Sequence, residues 1–210
     1  MSEFEKRQFF HEGMRALQDQ LDGRRTADAI EKYRKHYEFW DDEREMIETC
    51  EFFFIASSWH EYIDCVIKSG DPGFVKVVGK DVLEYPEYDG NSMYRTLGNI
   101  SKNPNVALLF VLFDGKSKKI RINGKATLHR DQKTLDSHFG AKFVVRIKCE
   151  IYPNCPRYLP NLAEKKASPH IPRKGQGTPP PPEWKGRDYI RDILPEHDPH
   201  GKILKTRITE

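Results

Sequence analysis

A mainly β fold with flanking helices is the architecture that this 210-residue sequence predicts. The stretch from Gly70 to Ala126 alternates strand-like and turn-like segments around one short helix, which is typical of a small barrel. Apolar residues before it recur at helical spacing, and prolines accumulate after it. These features predict an N-terminal helical arm over residues 1–48, a barrel domain over 49–158 and a proline-rich C-terminal extension packing on the barrel over 159–210.

Composition narrows the class of protein further. The net charge of +3 and the pI of about 8.6 are only mildly basic. A dedicated nucleic-acid-binding domain usually has a pI above about 9, so this balance fits a small phosphate-bearing ligand better. The N-terminus lacks an apolar signal region and no apolar run reaches 18 residues, so we expect a soluble, cytoplasmic protein.

The cysteines favour free thiols over a metal site or a disulfide framework. None of the four lies in a C-x-x-C pair or at zinc-ligand spacing. A reducing cytosol suits such a set, and we expect no metal site. The four are Cys50, Cys65, Cys149 and Cys155.

The N-terminal arm is predicted to be helical over residues 3–48. Phe10, Met14 and Leu17 recur at helical spacing. Thr26 is expected to cap a second helix, and Asp41 or Asp42 a third.

Two strands follow the arm. The continuous apolar run Phe52–Ala56 predicts a strand buried on both faces. Trp59–Glu61 is expected to form the turn into a second strand, Tyr62–Lys68, which alternates in polarity. The alternation places three apolar side chains on one side, namely Ile63, Cys65 and Ile67.

The remaining elements are predicted from the same signals. Strands are expected over residues 74–78, 82–85, 106–113, 120–128 and 143–152, with a short helix over 131–141. A further helix is expected to be capped by Asp89 or Asn91. It should end at Asn103, because proline disfavours helical geometry in the residue before it.

The loop Asp89–Ser92 is the strongest candidate for an anion site. Gly90 permits a close backbone approach, and the first amides of the following helix would face an anion with the positive end of the helix dipole. Arg95, about one turn further on, can donate two charge-assisted hydrogen bonds to phosphate. Lys76, Lys119 and Arg121 are expected to lie on neighbouring strands near this loop and to converge on the same anion.

Other common site types are not supported. The sequence has no G-x-S-x-G elbow, no G-x-G-x-x-G and no G-x-x-x-x-G-K-[ST]. A serine hydrolase, a Rossmann fold or a P-loop protein is therefore not expected for this chain.

At this point the residues resemble a known family, the pyridoxamine 5'-phosphate oxidase-like FMN-binding proteins. The resemblance covers roughly Phe52 to Tyr158, and its specificity comes from the order and spacing of several short motifs. These motifs are Asp71–Val77, Tyr88–Asn91, Leu97–Ile100, Asn103–Val106, Leu108–Phe110, Arg121–Ala126 and Tyr152–Tyr158.

The resemblance implies an FMN-binding split β-barrel, usually a homodimer with FMN in a groove between the subunits. It also implies contacts with the flavin, the ribityl chain or the phosphate at particular positions. Those positions are Phe74, Val75, Lys76, Val77, Tyr85, Pro86, Gly90, Asn91, Ser92 and Lys119. Arg95 is added from its charge and its place on the helix, and either Lys76 or Lys119 beside the flavin ring would favour the reduced form.

Two departures separate this chain from the vitamin B6 enzyme itself. The phosphate loop offers Gly90-Asn91-Ser92 where that enzyme has consecutive basic residues, and the C-terminal arginine-x-histidine signature for pyridoxal phosphate is missing. Vitamin B6 oxidation is therefore not expected, and no catalytic residue is assigned.

The sequence thus favours an FMN-dependent oxidoreductase of unassigned substrate, acting on a small molecule or NAD(P)H. A second interpretation is a flavin-binding or flavin-storing module without turnover. A third is a basic barrel that binds RNA along the hairpin from Lys116 to Lys125.

Overall fold

The computed structural model describes residues 8–88, 92–113, 118–152, 158–160, 169, 178–194, 196, 198 and 200–201. The chain divides into two compact units, which we call the sheet unit and the terminal unit. The sheet unit comprises His36–Leu112 and Lys119–Asn154. The terminal unit comprises Met1–Lys35, Phe113–Lys118 and Cys155–Glu210.

The sheet unit is built on one antiparallel sheet. Its strands are β1 (Phe52–Trp59), β2 (Tyr62–Ser69), β3 (Lys76–Val77), β4 (Val82–Glu87), β5 (Asn105–Val111), β6 (Lys119–His129) and β7 (Phe143–Tyr152). They are hydrogen-bonded in the order β2-β1-β5-β6-β7-β4-β3. The edge strands β2 and β3 do not pair with each other in the described part of the chain, so the sheet is not closed. The predicted mainly β fold with flanking helices is confirmed.

The helices are short and lie in both units. Those of the sheet unit are α3 (Asp41–Thr49), α4 (Arg95–Lys102) and α5 (Gln132–Asp136). Those of the terminal unit are α1 (Glu12–Gln20), α2 (Arg24–Arg34), a 3-10 helix (Glu183–Gly186) and α6 (Asp188–Arg191). Among the described residues, no helix combines the length and the apolar character that crossing a bilayer requires.

The predicted caps of the second and third helices are wrong. α2 has Gly23 at its N-cap, because Thr26 is buried and its hydroxyl donates to the carbonyl of Ile193 at 2.5 Å. Neither predicted aspartate caps α3, whose N-cap is Trp40; the carboxylate of Glu43 accepts from the Trp40 backbone N–H at 3.2 Å. Tertiary packing decides these helix starts.

The faces of the first two strands also differ from the prediction. β1 alternates, with Phe53 and Ile55 fully buried and Phe54 half-buried on the opposite face. On β2, Ile63 and Ile67 are 71% and 53% exposed. The apolar side of β2 therefore faces away from the core. The continuous apolar run of β1 places side chains on both faces of the sheet, and those on one face are fully buried.

Aromatic packing fixes the centre of the sheet unit. The ring of Phe53 lies 4.9 Å from that of Phe110, 5.1 Å from that of Tyr85 and 6.0 Å from that of Phe74, measured between ring centres. All four side chains are buried. This cluster holds the starts of β3 and the middle of β4 against β1 and β5.

Candidate functional site

The polypeptide turns sharply between β4 and α4. Ser92 has φ 59° and Tyr94 has φ 50°. Both values lie in the left-handed region that residues other than glycine rarely adopt. Such backbone strain concentrates at functional sites. Gly90 and Asn91 of the predicted phosphate loop lie outside the described residues, while Ser92 forms the described end of that loop.

α4 starts later than the sequence predicts. It begins at Arg95, with Tyr94 as its N-cap, so Arg95 occupies the first position of the helix. The predicted caps Asp89 and Asn91 lie outside the described residues, four or more positions before the helix begins. The predicted end at Asn103 is confirmed.

A cavity of about 310 Å³ opens between β2 and the end of β4. We call it the β2–β4 cavity. Its walls come from β2, from the last residues of β4 and from the segment that enters α4. The lining residues are Asp64, Cys65, Val66, Lys68, Glu87, Tyr88, Ser92, Met93, Tyr94, Arg95, Thr96 and Leu97.

Two cations and two carboxylates line this cavity as pairs. Lys68 Nζ donates to Glu87 Oε1 at 2.6 Å, which joins β2 to β4 across the open side of the sheet. Arg95 Nε donates to Asp64 Oδ1 at 3.2 Å, and the Thr96 hydroxyl donates to Asp64 Oδ2 at 2.8 Å. Each cation is therefore neutralised by a carboxylate. An anion in this cavity could bind Lys68 or Arg95 only by sharing the cation with that carboxylate.

The predicted contact residues of β3 and β4 are largely enclosed within the chain. Val75 and Tyr85 have no exposed surface, and Phe74 and Val77 are also buried, as is Pro86. The Tyr85 hydroxyl has no hydrogen-bond partner among the described residues, and burial raises its pKa well above the ordinary value. A ligand could reach these residues chiefly through their backbone.

The polar groups of β3 already have partners. The Val77 N–H donates to Glu48 Oε1 at 3.2 Å, and the Val77 carbonyl accepts from Arg44 at 3.1 Å. Lys76 Nζ donates to the carbonyl of Ser137. Side chains of α3 therefore compete with any ligand for the backbone edge of β3 at Val77.

Lys119 lies far from Lys76 within one chain. Lys76 pairs with Glu84 on β4, which is level with Thr127 on β6 two strands away. Because Lys119 precedes Thr127 by eight positions, it lies about 27 Å from Thr127 along β6 at about 3.4 Å per residue. The prediction that Lys76 lies on a strand next to that of Lys119 and Arg121 is therefore wrong, because β7 and β4 lie between β3 and β6.

A buried polar cluster beside Lys76 was not predicted. Glu84 and His138 are 5% and 4% exposed, and the Arg146 guanidinium pairs with Glu84 Oε1. His138 Nε2 lies 3.5 Å from Glu84 Oε2 without forming a hydrogen bond. Burial, and then the charge of Lys76, lower the pKa of His138. Only the isolated glutamate within the apolar strand β4 hinted at this cluster.

We expect His138 to make the protein less stable in mild acid. Because its pKa in the folded state lies below the ordinary value of 6.5, the unfolded chain binds this proton more readily. The contribution of His138 to stability is therefore complete above pH 6.5 and is lost as the pH falls from that value through the lower pKa of the folded state. Urea unfolding of wild type and His138→Gln at pH 7.5 and pH 5.0 measures this contribution.

In that experiment the variant should lose less stability than wild type between the two pH values. The change His11→Gln, at an exposed position, should keep the wild-type difference. Equal pH dependence in wild type and His138→Gln would contradict the buried, neutral state of this histidine.

A second and larger cavity also borders the first turn of α4. Its volume is about 690 Å³, and we call it the α4–α5 cavity. It shares Tyr94 and Leu97 with the β2–β4 cavity. The lining residues are Tyr94, Leu97, Gly98, Arg130, Leu135, Ala141, Lys142 and Phe143. The sequence did not indicate it, because its walls come from three separate segments.

The candidate site thus belongs to an open, seven-stranded antiparallel sheet. Its ion-paired cavity lies between the edge strand β2 and the end of β4. No known protein-family model matches the chain, and no curated protein matches it in sequence.

Three solved structures illustrate what the chain is similar to. A Lactobacillus delbrueckii protein, provisionally described as a pyridoxamine 5'-phosphate oxidase, is 17% identical over 57% of this chain and 99% of its own, with a TM-score of 0.46. HupZ from Group A Streptococcus is 14% identical over 53% and 90%, with a TM-score of 0.40. An FMN-binding protein from Syntrophomonas wolfei is 14% identical over 68% and 97%, with a TM-score of 0.37. At these values, functional conclusions have to come from the residues of this chain.

Proposed function

We propose that this chain is an FMN-binding flavoprotein and acts as an FMN-dependent oxidoreductase of the pyridoxamine 5'-phosphate oxidase-like type. One observation carries the proposal: Ser92 and Arg95, two of the predicted cofactor contacts, both line the β2–β4 cavity. The ordered motifs from Gly70 to Ala126 support FMN as the ligand, in preference to other phosphorylated molecules.

The described residues fit the phosphate end of FMN. Arg95 lies at the start of α4, where the helix dipole also favours an anion, and the Ser92 and Thr96 hydroxyls line the same cavity. Asp64 already accepts from Arg95 and Thr96, so a bound phosphate would share or displace that carboxylate. We expect binding to weaken in high salt as these charged groups are screened.

On the ring side, we propose Lys76 as the cation. Its ammonium donates to the Ser137 carbonyl, and its charge acts on His138 in the Glu84–His138 cluster. FMN, when bound, would accept a hydride from the substrate. In our proposal Lys76 holds positive charge beside the ring and so favours the reduced cofactor, while β3 and β4 fix the ring in place.

The active form in this proposal is a homodimer. Apolar side chains continue across the outer face of two strands, where Ile67 pairs with Phe54 and Cys65 with Ala56. An exposed apolar surface of this kind is typical of a protein interface. A second copy would also supply the Lys119 end of β6, which a single chain holds far from Lys76. Sedimentation equilibrium should give twice the chain mass; a monomer across micromolar concentrations would refute this part.

Anaerobic reduction tests turnover separately from binding. The flavin-loaded protein is mixed with NADH or NADPH without oxygen, and its absorbance is followed before and after air is admitted. Bleaching followed by recovery supports an oxidoreductase that takes electrons from NAD(P)H. A flavin that stays oxidised with both donors favours a flavin-storing module, or a different small-molecule donor.

A cytoplasmic location completes the proposal. The described cysteines are free thiols, with Cys50 and Cys149 buried and Cys65 exposed. Burial raises the pKa of Cys50 to about 12, so this thiol stays protonated and unreactive. Free thiols of this kind suit a reducing compartment.

A further inference from the structure

We propose that the α4–α5 cavity is a second binding site, and that its ligand is a small amphipathic anion. The chemistry of its walls defines this ligand as a rigid apolar or aromatic body that carries one carboxylate or phosphate group. The site is distinct from the proposed cofactor contacts that the structure describes, none of which lines this cavity.

The size and the apolar surface of the cavity favour a ligand with a rigid apolar or aromatic body. The cavity volume of about 690 Å³ falls within the range of roughly 300–1,000 Å³ typical of small-molecule sites. Aromatic rings and leucines form its apolar walls, namely Tyr94, Phe143, Leu97 and Leu135. Such walls favour a flat apolar molecule, because rings stack and leucine side chains pack against its faces.

The charged side chains of the cavity favour a ligand that carries an anionic group. Arg130 and Lys142 line the cavity, and none of the eight lining residues that the structure describes carries a carboxylate. The Arg130 guanidinium lies 5.4 Å from the centre of the Phe143 ring, which holds it beside the apolar wall. A guanidinium in this position can donate two parallel hydrogen bonds to a carboxylate or a phosphate.

The acidic residues at the ends of α5 are already engaged. Asp131 accepts from the Thr134 backbone N–H at 3.1 Å and from its hydroxyl at 2.9 Å. Asp136 accepts from Gln132 Nε2 at 2.6 Å. Among the described residues Arg130 forms no ion pair, so its guanidinium can pair with a bound anion.

Gly98 keeps the wall formed by α4 open. A Cβ atom at this position would meet no heavy atom within 4 Å. Glycine inside a helix costs about 1 kcal/mol relative to alanine, so packing alone gives no reason for it here. Its absent side chain leaves room for a ligand, and a large side chain at this position would fill that room.

The two cavities share Tyr94 and Leu97, so a ligand in one would lie beside a ligand in the other. Binding of this anion does not rest on the proposed function, and the two are measured separately.

Isothermal titration calorimetry of the full chain, with any flavin it carries left in place, tests the site. The probes are 1-naphthyl phosphate and 2-naphthoate, with naphthalene-2-methanol and inorganic phosphate as the ring and the anion alone. At least one aromatic anion should bind about tenfold or more tightly than either control, since a charge-assisted hydrogen bond supplies such a factor. The tighter of the two anions identifies phosphate or carboxylate as the preferred group. Equal affinity for all four probes would overturn the inference.

Three variants locate the binding. Gly98→Phe should weaken the aromatic anions about tenfold or more, whereas Gly98→Ala should bind them as wild type does. Arg130→Gln, at an exposed position, should weaken the anions but not naphthalene-2-methanol. Wild-type binding by Gly98→Phe and Arg130→Gln would overturn the inference, and circular dichroism checks that each variant is folded.

Flavin content separates this inference from the proposed function. Gly98→Phe should retain as much flavin as wild type. Loss of flavin from a folded Gly98→Phe protein would assign the cavity to the cofactor and overturn the inference. A colourless wild-type protein that binds the aromatic anions in the expected pattern would uphold it and refute FMN binding.

Discussion

Replacing Gly124 by alanine is expected to lower the free energy of unfolding by about 2–3 kcal/mol, the upper part of the range for overpacked cores. Gly124 lies in the middle of β6, between Val106 on β5 and Cys149 on β7. A Cβ atom there would lie 2.3 Å from Ile147 Cγ2 and 2.9 Å from the carbonyl oxygen of Lys148. Since Ile147 is fully buried, relief requires movement of two central strands.

The chain supplies a matched control for this substitution. Gly98→Ala adds the same methyl group in open space within α4, and it should raise stability by about 0.5–1 kcal/mol through helix propensity. Urea unfolding followed by circular dichroism measures both. A Gly124→Ala protein as stable as wild type would contradict the packing of β6 against β7.

Replacing Arg95 by alanine is expected to weaken FMN binding by about 10- to 100-fold, while stability changes little. Loss of a charge-assisted hydrogen bond to phosphate accounts for a change of about 1.5–3 kcal/mol. The Arg95 side chain is 56% exposed, so its pair with Asp64 contributes little to stability. Titration of FMN into apoprotein, followed by quenching of flavin fluorescence, gives the dissociation constant.

Lys102→Ala is the control, because Lys102 is an exposed cation at the opposite end of the same helix. It should bind FMN as wild type does. If Arg95→Ala kept wild-type affinity, or if both variants lost affinity equally, the β2–β4 cavity would not be the phosphate site.

Most strands could be predicted from the sequence, because β propensity and turn residues act locally. The alternation of β6 and the bounds of β7 are examples. Which face of a strand is buried depends on what covers it. The apolar side of β2, with Ile63 and Ile67, therefore could not be recognised as exposed without the sheet order.

The candidate site was only partly predictable for the same reason. Ser92 and Arg95 could be chosen from their place in a loop and a helix. The Asp64 carboxylate that binds Arg95 lies 31 positions away in sequence, and no local signal reveals such a pair. The separation of Lys119 from Lys76 likewise follows from the sheet order, which places β7 and β4 between their strands.

The α4–α5 cavity illustrates what local patterns omit. Arg130 and Lys142 occupy exposed connections at the two ends of the α5 excursion, where basic residues normally indicate only contact with water. They line one cavity because β6 and β7 pair, which returns the chain to its starting point.

The absorbance spectrum of the purified full-length protein tests the central proposal most directly. We expect a yellow preparation that shows the absorbance bands of an oxidised flavin in the near ultraviolet and the blue. Denaturation should release a flavin that chromatography identifies as FMN, distinct from FAD and riboflavin. A colourless protein that neither binds added FMN nor quenches its fluorescence would contradict the account.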